Sequence, residues 1–243
     1  MSGRADLSED YHVHSTFSDD AQSSLEDNLV AARARGLSTV CFVEHVRRDT
    51  EWVPDFLDAA ASLRSGVSSP RVLTGVEAKI LDHSGALDIP QAGSDADLVL
   101  IADHQFPGPD GPVSPREMGR RIAFGEAVRR SVLDQLVEAT ASAVCRVPRA
   151  LVAHPFSIVP KMGLSEDDLT DKQIRKIAEA AVRTGAMVEI NEKWRCPSRR
   201  IVDLLAGRGA VLVCGSDAHH CRDVGRYERV RELTGALEVL ATT

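Results

Sequence analysis

A parallel α/β barrel is the fold class that this 243-residue sequence predicts, on three observations. Short, continuously apolar runs recur along the chain, the mark of strands buried on both faces. Nearly every run closes on or beside a histidine or a carboxylate. Helix-forming stretches alternate with the runs, and repeated βα units with buried strands argue for a barrel whose C-terminal strand ends share one rim.

The elements follow in order. His12-Val13-His14 sits on a first strand, and Ser24-Leu25-Glu26-Asp27 reads as a capping segment for a helix over 28–35 stopped by Gly36. A strand over 40–45, a helix over 54–63, and strands over 72–77 and 98–104 come next. Residues 81–97 read as irregular, and 105–114, with Phe106-Pro107-Gly108-Pro109-Asp110-Gly111-Pro112, as a rim loop holding neither regular element. A long helical stretch over 115–143 leads to a strand over 151–154 and a helix over 169–184 closed by Gly185. The chain ends with a strand over 187–191, a helix over 198–206 closed by Gly207, a strand over 211–214 and a helix near 225–240.

Length favours one domain over residues 1–243, since a single α/β barrel typically takes ~250 residues. No repeat, low-complexity tract or composition break marks a second unit. The formal charge of −7, from 29 basic and 36 acidic residues, argues against a polyanionic partner such as nucleic acid. The first ten residues hold no secretory signal and no run is long enough to span a bilayer, so the expected location is cytoplasmic, without a membrane partner. The five cysteines lack Cys-x-x-Cys spacing and read as buried, reduced thiols.

Six of the eight histidines fall at strand ends: His12, His14, His45, His104, His154 and His219. Glu77 and Asp217 do the same. A lone strand-end histidine is usually a packed core residue, but packing does not account for the whole set. His12 and His14 are two apart, so they share a face and can reach one ion.

These motifs resemble the PHP (polymerase and histidinol phosphatase) superfamily, and within it the stand-alone histidinol-phosphatase-like enzymes. The resemblance covers essentially the whole chain. It rests on His12-Val13-His14 with Phe17-Ser18-Asp19-Asp20-Ala21, Glu44-His45, Gly75-Val76-Glu77, His104, His154-Pro155 and Gly215-Ser216-Asp217-Ala218-His219. It implies a distorted (βα)7 barrel with a three-metal cluster at the C-terminal rim. The implied ligands are His12, His14, Asp20, His45, Glu77, His104, His154, Asp217 and His219. Asp20 is preferred to Asp19 because it stands six residues after His14, as the family's ligand often does. The family usually has Thr or Asp before its second histidine where this chain has Val43 and Glu44.

Six imidazoles with three carboxylates suit divalent zinc, manganese or iron better than the all-oxygen preferences of magnesium and calcium. Clustered divalent ions acidify a bound water and stabilise a phosphoryl group. The expected activity is therefore hydrolysis of a phosphate monoester of a small soluble metabolite, with His219 and Asp217 at the reacting centre. A phosphodiesterase or exonuclease is the alternative, and a metal-stabilised binding protein the third reading. The residues expected at the substrate are Arg195, Arg199 and Asn191, the arginines because their forks grip phosphate. Lys193 is a further rim cation, Trp194 a residue that covers the leaving group or packs on the rim, and Glu189 with Asn191 a support for ligands. His83 and His220 read as surface or outer residues. Arg120, Arg121, Arg129 and Arg130 read as solvated helix-face charge.

Overall fold

A computed structural model describes residues 5–123 and 126–240. The elements are β1 (Glu9–Val13), α1 (Leu25–Ala34), β2 (Thr39–Val46), α2 (Val53–Ser65), β3 (Arg71–Lys79), β4 (Leu98–Ala102), β5 (Phe106–Gly108), β6 (Gly111–Val113) and α3 (Pro115–Ile122). They continue as α4 (Glu126–Arg146), β7 (Ala150–Val152), α5 (Ile158–Lys161), α6 (Asp171–Thr184), β8 (Met187–Asn191), α7 (Arg199–Gly207), β9 (Val211–Gly215) and α8 (Arg229–Leu240).

Seven strands form one parallel sheet in the order β1-β2-β3-β4-β7-β8-β9. The two ends of the sheet meet just beyond β9. Val13 bridges to Ala218 in parallel, the His14 N–H donates to the Ala218 carbonyl at 2.8 Å, and the Ala218 N–H donates to the His12 carbonyl at 3.3 Å. The β1–β2 pairing slips between Asp10 and Val13, so the barrel is distorted on the strand that makes the closing seam. Buried Asp10 clasps that seam, accepting from the backbone N–H of Ser216 (2.9 Å) and Gly225 (2.8 Å). Among the described residues no helix is long and apolar enough to cross a membrane.

Side chains alternate across each strand. Cys41, Val43, Leu73, Leu98, Leu100, Ala102, Leu151 and Val213 form the plug inside the barrel, while a larger shell of apolar residues joins the outer strand faces to the helices. Gly75 belongs to the plug because a Cβ there would stand 2.9 Å from Leu100 Cδ1 and 3.1 Å from Val43 Cγ2. Carried one step further toward the rim, the same inner face presents His45, Glu77 and His104.

Several local expectations are corrected. The 105–114 loop contains the antiparallel β5–β6 hairpin, with Gly111 at φ 119 and Pro107 opposite Pro112. That pair lies between Phe106–Val113 and Gly108–Gly111, where an antiparallel ladder alternates to a position needing no N–H. The 115–143 stretch is two helices, α3 and α4; residues 124 and 125 between them lie outside the described residues. Gly207 stays helical, and Gly209, at φ 82, takes the left-handed turn instead. The last helix starts at Arg229, because Gly225 (φ 64) turns its N–H to Asp10. Ser24 and Asp27 do form a capping box on α1. The cysteines are free thiols, with Cys41, Cys196 and Cys214 buried and Cys145 exposed.

Candidate metal centre

The inner-face ionisable groups converge on Glu77, a carboxylate 2% exposed and touched by five imidazoles. Its Oε2 lies 2.8 Å from His45 Nδ1 and 3.6 Å from both His12 Nε2 and His14 Nε2. Its Oε1 lies 2.8 Å from His154 Nε2 and 3.2 Å from His104 Nε2. Nearer the cavity, Asp20 approaches His219 Nε2 (3.1 Å) and His45 Nε2 (3.6 Å), while Asp217 approaches His219 Nδ1 (3.3 Å) and His14 Nε2 (3.7 Å). All nine residues of the expected ligand set therefore lie in one connected cluster. Asp19 lines the cavity beside them, but the carboxylate between the two histidines is that of Asp20.

Three overlapping trios bring their ligand atoms within 4.8 Å of one another: His12-His14-Glu77, His14-His45-His219 and His45-Glu77-His104. Two features suit cations. Glu77 Oε2 is buried and no donor meets it with hydrogen-bond geometry, His45 Nδ1 at 2.8 Å included, and His12 Nε2 faces His14 Nε2 at 3.0 Å, a contact that one proton or one shared ion satisfies. The residues fit a divalent transition-metal cluster.

The charge distribution says the same. Burial disfavours a charged His12, yet Glu189 and Glu77 override it and hold that imidazole well above its usual pKa. Burial, with His45 and His12, pushes His14 well below. For His154, burial is outweighed by the Asp103 hydrogen bond and Glu77, raising it to about 10. Burial opposes ionisation of Glu77, but His104 and His12 hold it well below the ordinary carboxylate range. These shifts, with that of His45, whose burial is outweighed by Glu77 and Asp20 so that it too is raised, favour protonated imidazoles beside the buried carboxylates without ions, and metal uptake would release those protons.

A ring of supporting groups fixes the ligands. Glu189 Oε1 meets His12 Nδ1 at 3.0 Å while its Oε2 accepts the His154 backbone N–H. Ser157 donates to Asp103 at 2.7 Å, and both approach His154 Nδ1. Such contacts orient imidazoles and fix their tautomers. Asp103 was not singled out from sequence, although an acid directly before a strand-end histidine was the available signal. His154 and Asp217 also take positive φ, 28 and 53, conformations that cost non-glycine residues energy and gather at functional sites.

Asn191 is placed among the supporting groups and does not line the cavity. Fully buried, it donates to Glu189 (3.0 Å) and Asp217 (3.3 Å) and accepts the Trp194 N–H (2.8 Å), which occupies its amide. Arg195 and Arg199 also depart from expectation. Arg195, at φ 55, sends its guanidinium outward to within 3.9 Å of Glu232 on α8, and Arg199 pairs with Asp203 at 2.8 Å. Neither lines the cavity of about 430 Å³ above the cluster, whose basic residues are Arg47, Lys79 and Lys193. Trp194 forms part of its wall, and His83 is exposed.

Glu44 lies on the opposite face of β2 from His45. It accepts from the Ser15 N–H (3.0 Å), the Ser15 hydroxyl (2.5 Å) and the Ser18 hydroxyl (2.6 Å), fastening the loop that leads to Asp20. Burial, only partly offset by those bonds, raises its pKa from 4.5 to about 8. Stability from the neutral carboxyl is thus fully present below its unfolded value and lost as pH rises through the folded one. Metal-free Glu44→Gln is expected to lose less stability between about pH 5 and about pH 9 than wild type does. Denaturant midpoints check it; equal losses would mean that Glu44 ionises freely.

With this geometry in hand, comparison with known proteins identifies the family. The PHP domain matches residues 10–193. This chain belongs to that family. A probable phosphatase of Acetivibrio thermocellus is 27% identical over 238 residues, covering 92% of this chain and 84% of the relative. A probable phosphatase of Caldanaerobacter subterraneus subsp. tengcongensis is 26% identical over 237 residues, covering 92% and 81%. The histidinol phosphate phosphatase of Lactococcus lactis, solved with zinc, L-histidinol and phosphate, superposes with a TM-score of 0.68 at 15% identity, covering 94% of this PHP chain and 92% of that one. At that identity the likeness bears on the fold, and the fold agrees: a seven-stranded parallel barrel wrapped in helices.

Proposed function

We propose that this PHP protein is a metal-dependent phosphatase that hydrolyses a phosphate monoester of a small soluble metabolite. The observation that carries the reading is the convergence of five imidazoles on one buried carboxylate beneath an open cavity. The names of the relatives and the zinc, alcohol and phosphate bound by the Lactococcus lactis enzyme support it.

His12, His14, Asp20, His45, Glu77, His104, His154, Asp217 and His219 would hold three divalent transition ions, zinc, manganese or iron. Bound there, the ions supply a nucleophile at neutral pH and charge to stabilise the phosphoryl group. The chain positions the participants: Glu189 and Asp103 fix His12 and His154, and Asn191 aims Asp217. Asp217 and His219 border the cavity and are the residues assigned to the reacting centre. Burial opposes ionisation of Asp217, but His12, His154 and Lys193 keep it ionised.

Monoester chemistry is favoured over diester chemistry by the formal charge of −7 and the 4% aromatic content of the chain, since a strand of nucleic acid calls for a basic groove with aromatic stacking groups. A panel of sugar, nucleoside and amino-alcohol phosphates with manganese, zinc and iron is expected to release phosphate faster than short oligonucleotides are cut. Comparable rates would favour the exonuclease reading. Elemental analysis of the loaded protein is expected to give more than one ion per chain, with uptake weakening as pH falls because protons compete for the same imidazoles. Saturation at one ion would remove the multinuclear centre.

A further inference from the structure

With Arg195 and Arg199 turned off the rim, the cation that meets the substrate phosphate has to be sought among the residues that line the cavity. Lys79 is paired with Asp88 at 3.3 Å, a carboxylate outside the expected ligand set, so that pair would persist in the loaded protein. Arg47 stands on the side where the cavity runs into a neighbouring recess of about 380 Å³ lined by Asp19, Asp49 and Glu51, an environment that disfavours a phosphate dianion. Lys193 stands at the cluster itself, with Nζ 3.2 Å from Asp217 Oδ1 and 3.0 Å from His219 Nδ1.

The segment carrying Lys193 is a built turn. Asn191 and Cys196 form an antiparallel bridge with the Asn191 N–H donating to the Cys196 carbonyl at 2.8 Å, and the Arg195 N–H closes back on the Glu192 carbonyl at 3.2 Å. Glu192 anchors the turn from outside by accepting the Arg229 and Val230 N–H groups at the start of α8, both at 3.0 Å. From inside, Asn191 holds the Trp194 N–H. Lys161 then lies 3.5 Å from the centroid of the Trp194 ring, a cation–π contact that fixes the indole. Arg195 is sent outward by its positive φ, while Lys193 and Trp194 face the cavity.

We propose that Lys193 is the substrate-phosphate cation of this chain, presented by the 191–196 turn in place of an arginine. The proposal rests on the phosphatase reading above. In the metal-free protein the Lys193 ammonium is satisfied by Asp217 and His219. Were those two groups to hold ions, the ammonium would be left beside added positive charge at the cavity wall, and a phosphate oxygen would be a partner that both kinds of cation could share. A lysine serves as a point charge there, without the bidentate fork of an arginine.

The experiment compares wild type, Lys193→Ala, Lys193→Arg, Arg47→Ala and Arg195→Ala, each loaded with manganese, with Arg129→Ala as a surface control. Metal content, inorganic phosphate affinity by calorimetry, and kcat and KM on the best monoester are measured for each. Lys193→Ala is expected to keep its metal but to lose phosphate affinity and kcat/KM by roughly 10²-fold, as when a donor to a developing oxyanion is removed. Lys193→Arg should restore part of both. Wild-type phosphate affinity in Lys193→Ala, or a larger loss in Arg47→Ala or Arg195→Ala, overturns the proposal. Lys193→Ala that also loses metal overturns it too, since the lysine would then be supporting the ligands. If wild type binds phosphate but cleaves no monoester, the phosphatase reading fails while the binding comparison still decides Lys193.

Discussion

Glu77→Gln is expected to deplete the metal centre and, with it, most of the turnover. The substitution preserves shape but replaces an anionic acceptor by a neutral amide in the middle of five imidazoles, three of them (His12, His45 and His154) held above their usual pKa in part by that charge. Removing one partner from a buried ionic cluster destabilises by about 3–5 kcal/mol, because the remaining charges stay buried without compensation. The metal-free variant can shed part of that cost by releasing protons from His12 and His154, so its melting temperature should fall less at high pH than at low pH. The ions cannot be replaced in that way. Elemental analysis is expected to show fewer ions than wild type, and activity should drop by more than about 100-fold, the upper end of what loss of a supporting residue costs. A Glu77→Gln protein with wild-type metal content would mean that Glu77 organises the histidines without holding an ion.

Much of this centre could be read before folding because a parallel barrel turns a one-dimensional regularity into a convergence. Each strand buries both faces, so its apolar run is visible, and the first polar residue past the run on the inner face must lie at the rim. That rule located His45, Glu77 and His104, and the two-residue spacing of His12 and His14 put both on the same side. Direction beyond the strand end was not legible. Arg195 lies four residues after Asn191 and looked able to lean over the cavity, yet one positive φ sends it to α8 and leaves the inward place to Lys193. The β5–β6 hairpin was hidden by its prolines, which count against strands unless the partner register is known. The role of Asp103 depends on Ser157 and His154, more than fifty residues away, and sequence spacing carries no trace of that contact.

Gly215 is the sharpest instance of a constraint that only the folded chain reveals, and Gly215→Ala is expected to damage both stability and metal binding. Its backbone needs no unusual conformation, so neither turn chemistry nor helix capping explains the glycine. The reason is contact: a Cβ at this position would stand 1.7 Å from Glu189 Oε1 and 2.7 Å from Glu189 Cδ, far inside any tolerated separation. Residue 215 pairs with Asn191 in the register of β8 and β9, so the backbone has little freedom to withdraw, and the Glu189 side chain must move. Moving it releases His12 Nδ1, the His154 N–H and the Asn191 amide together. Overpacking a core site costs about 1–3 kcal/mol, and each buried donor left without a partner about 1–3 kcal/mol more. The clash can be separated from the lost support by the double variant Gly215→Ala/Glu189→Ala. If the collision is the cause, the double variant should be more stable than the sum of the single changes predicts, with a coupling of about 0.5–3 kcal/mol. Metal affinity should stay low in all three proteins, since none keeps Glu189 against His12. Strict additivity in denaturation would instead place the cost of Gly215→Ala in the strand itself, independent of Glu189.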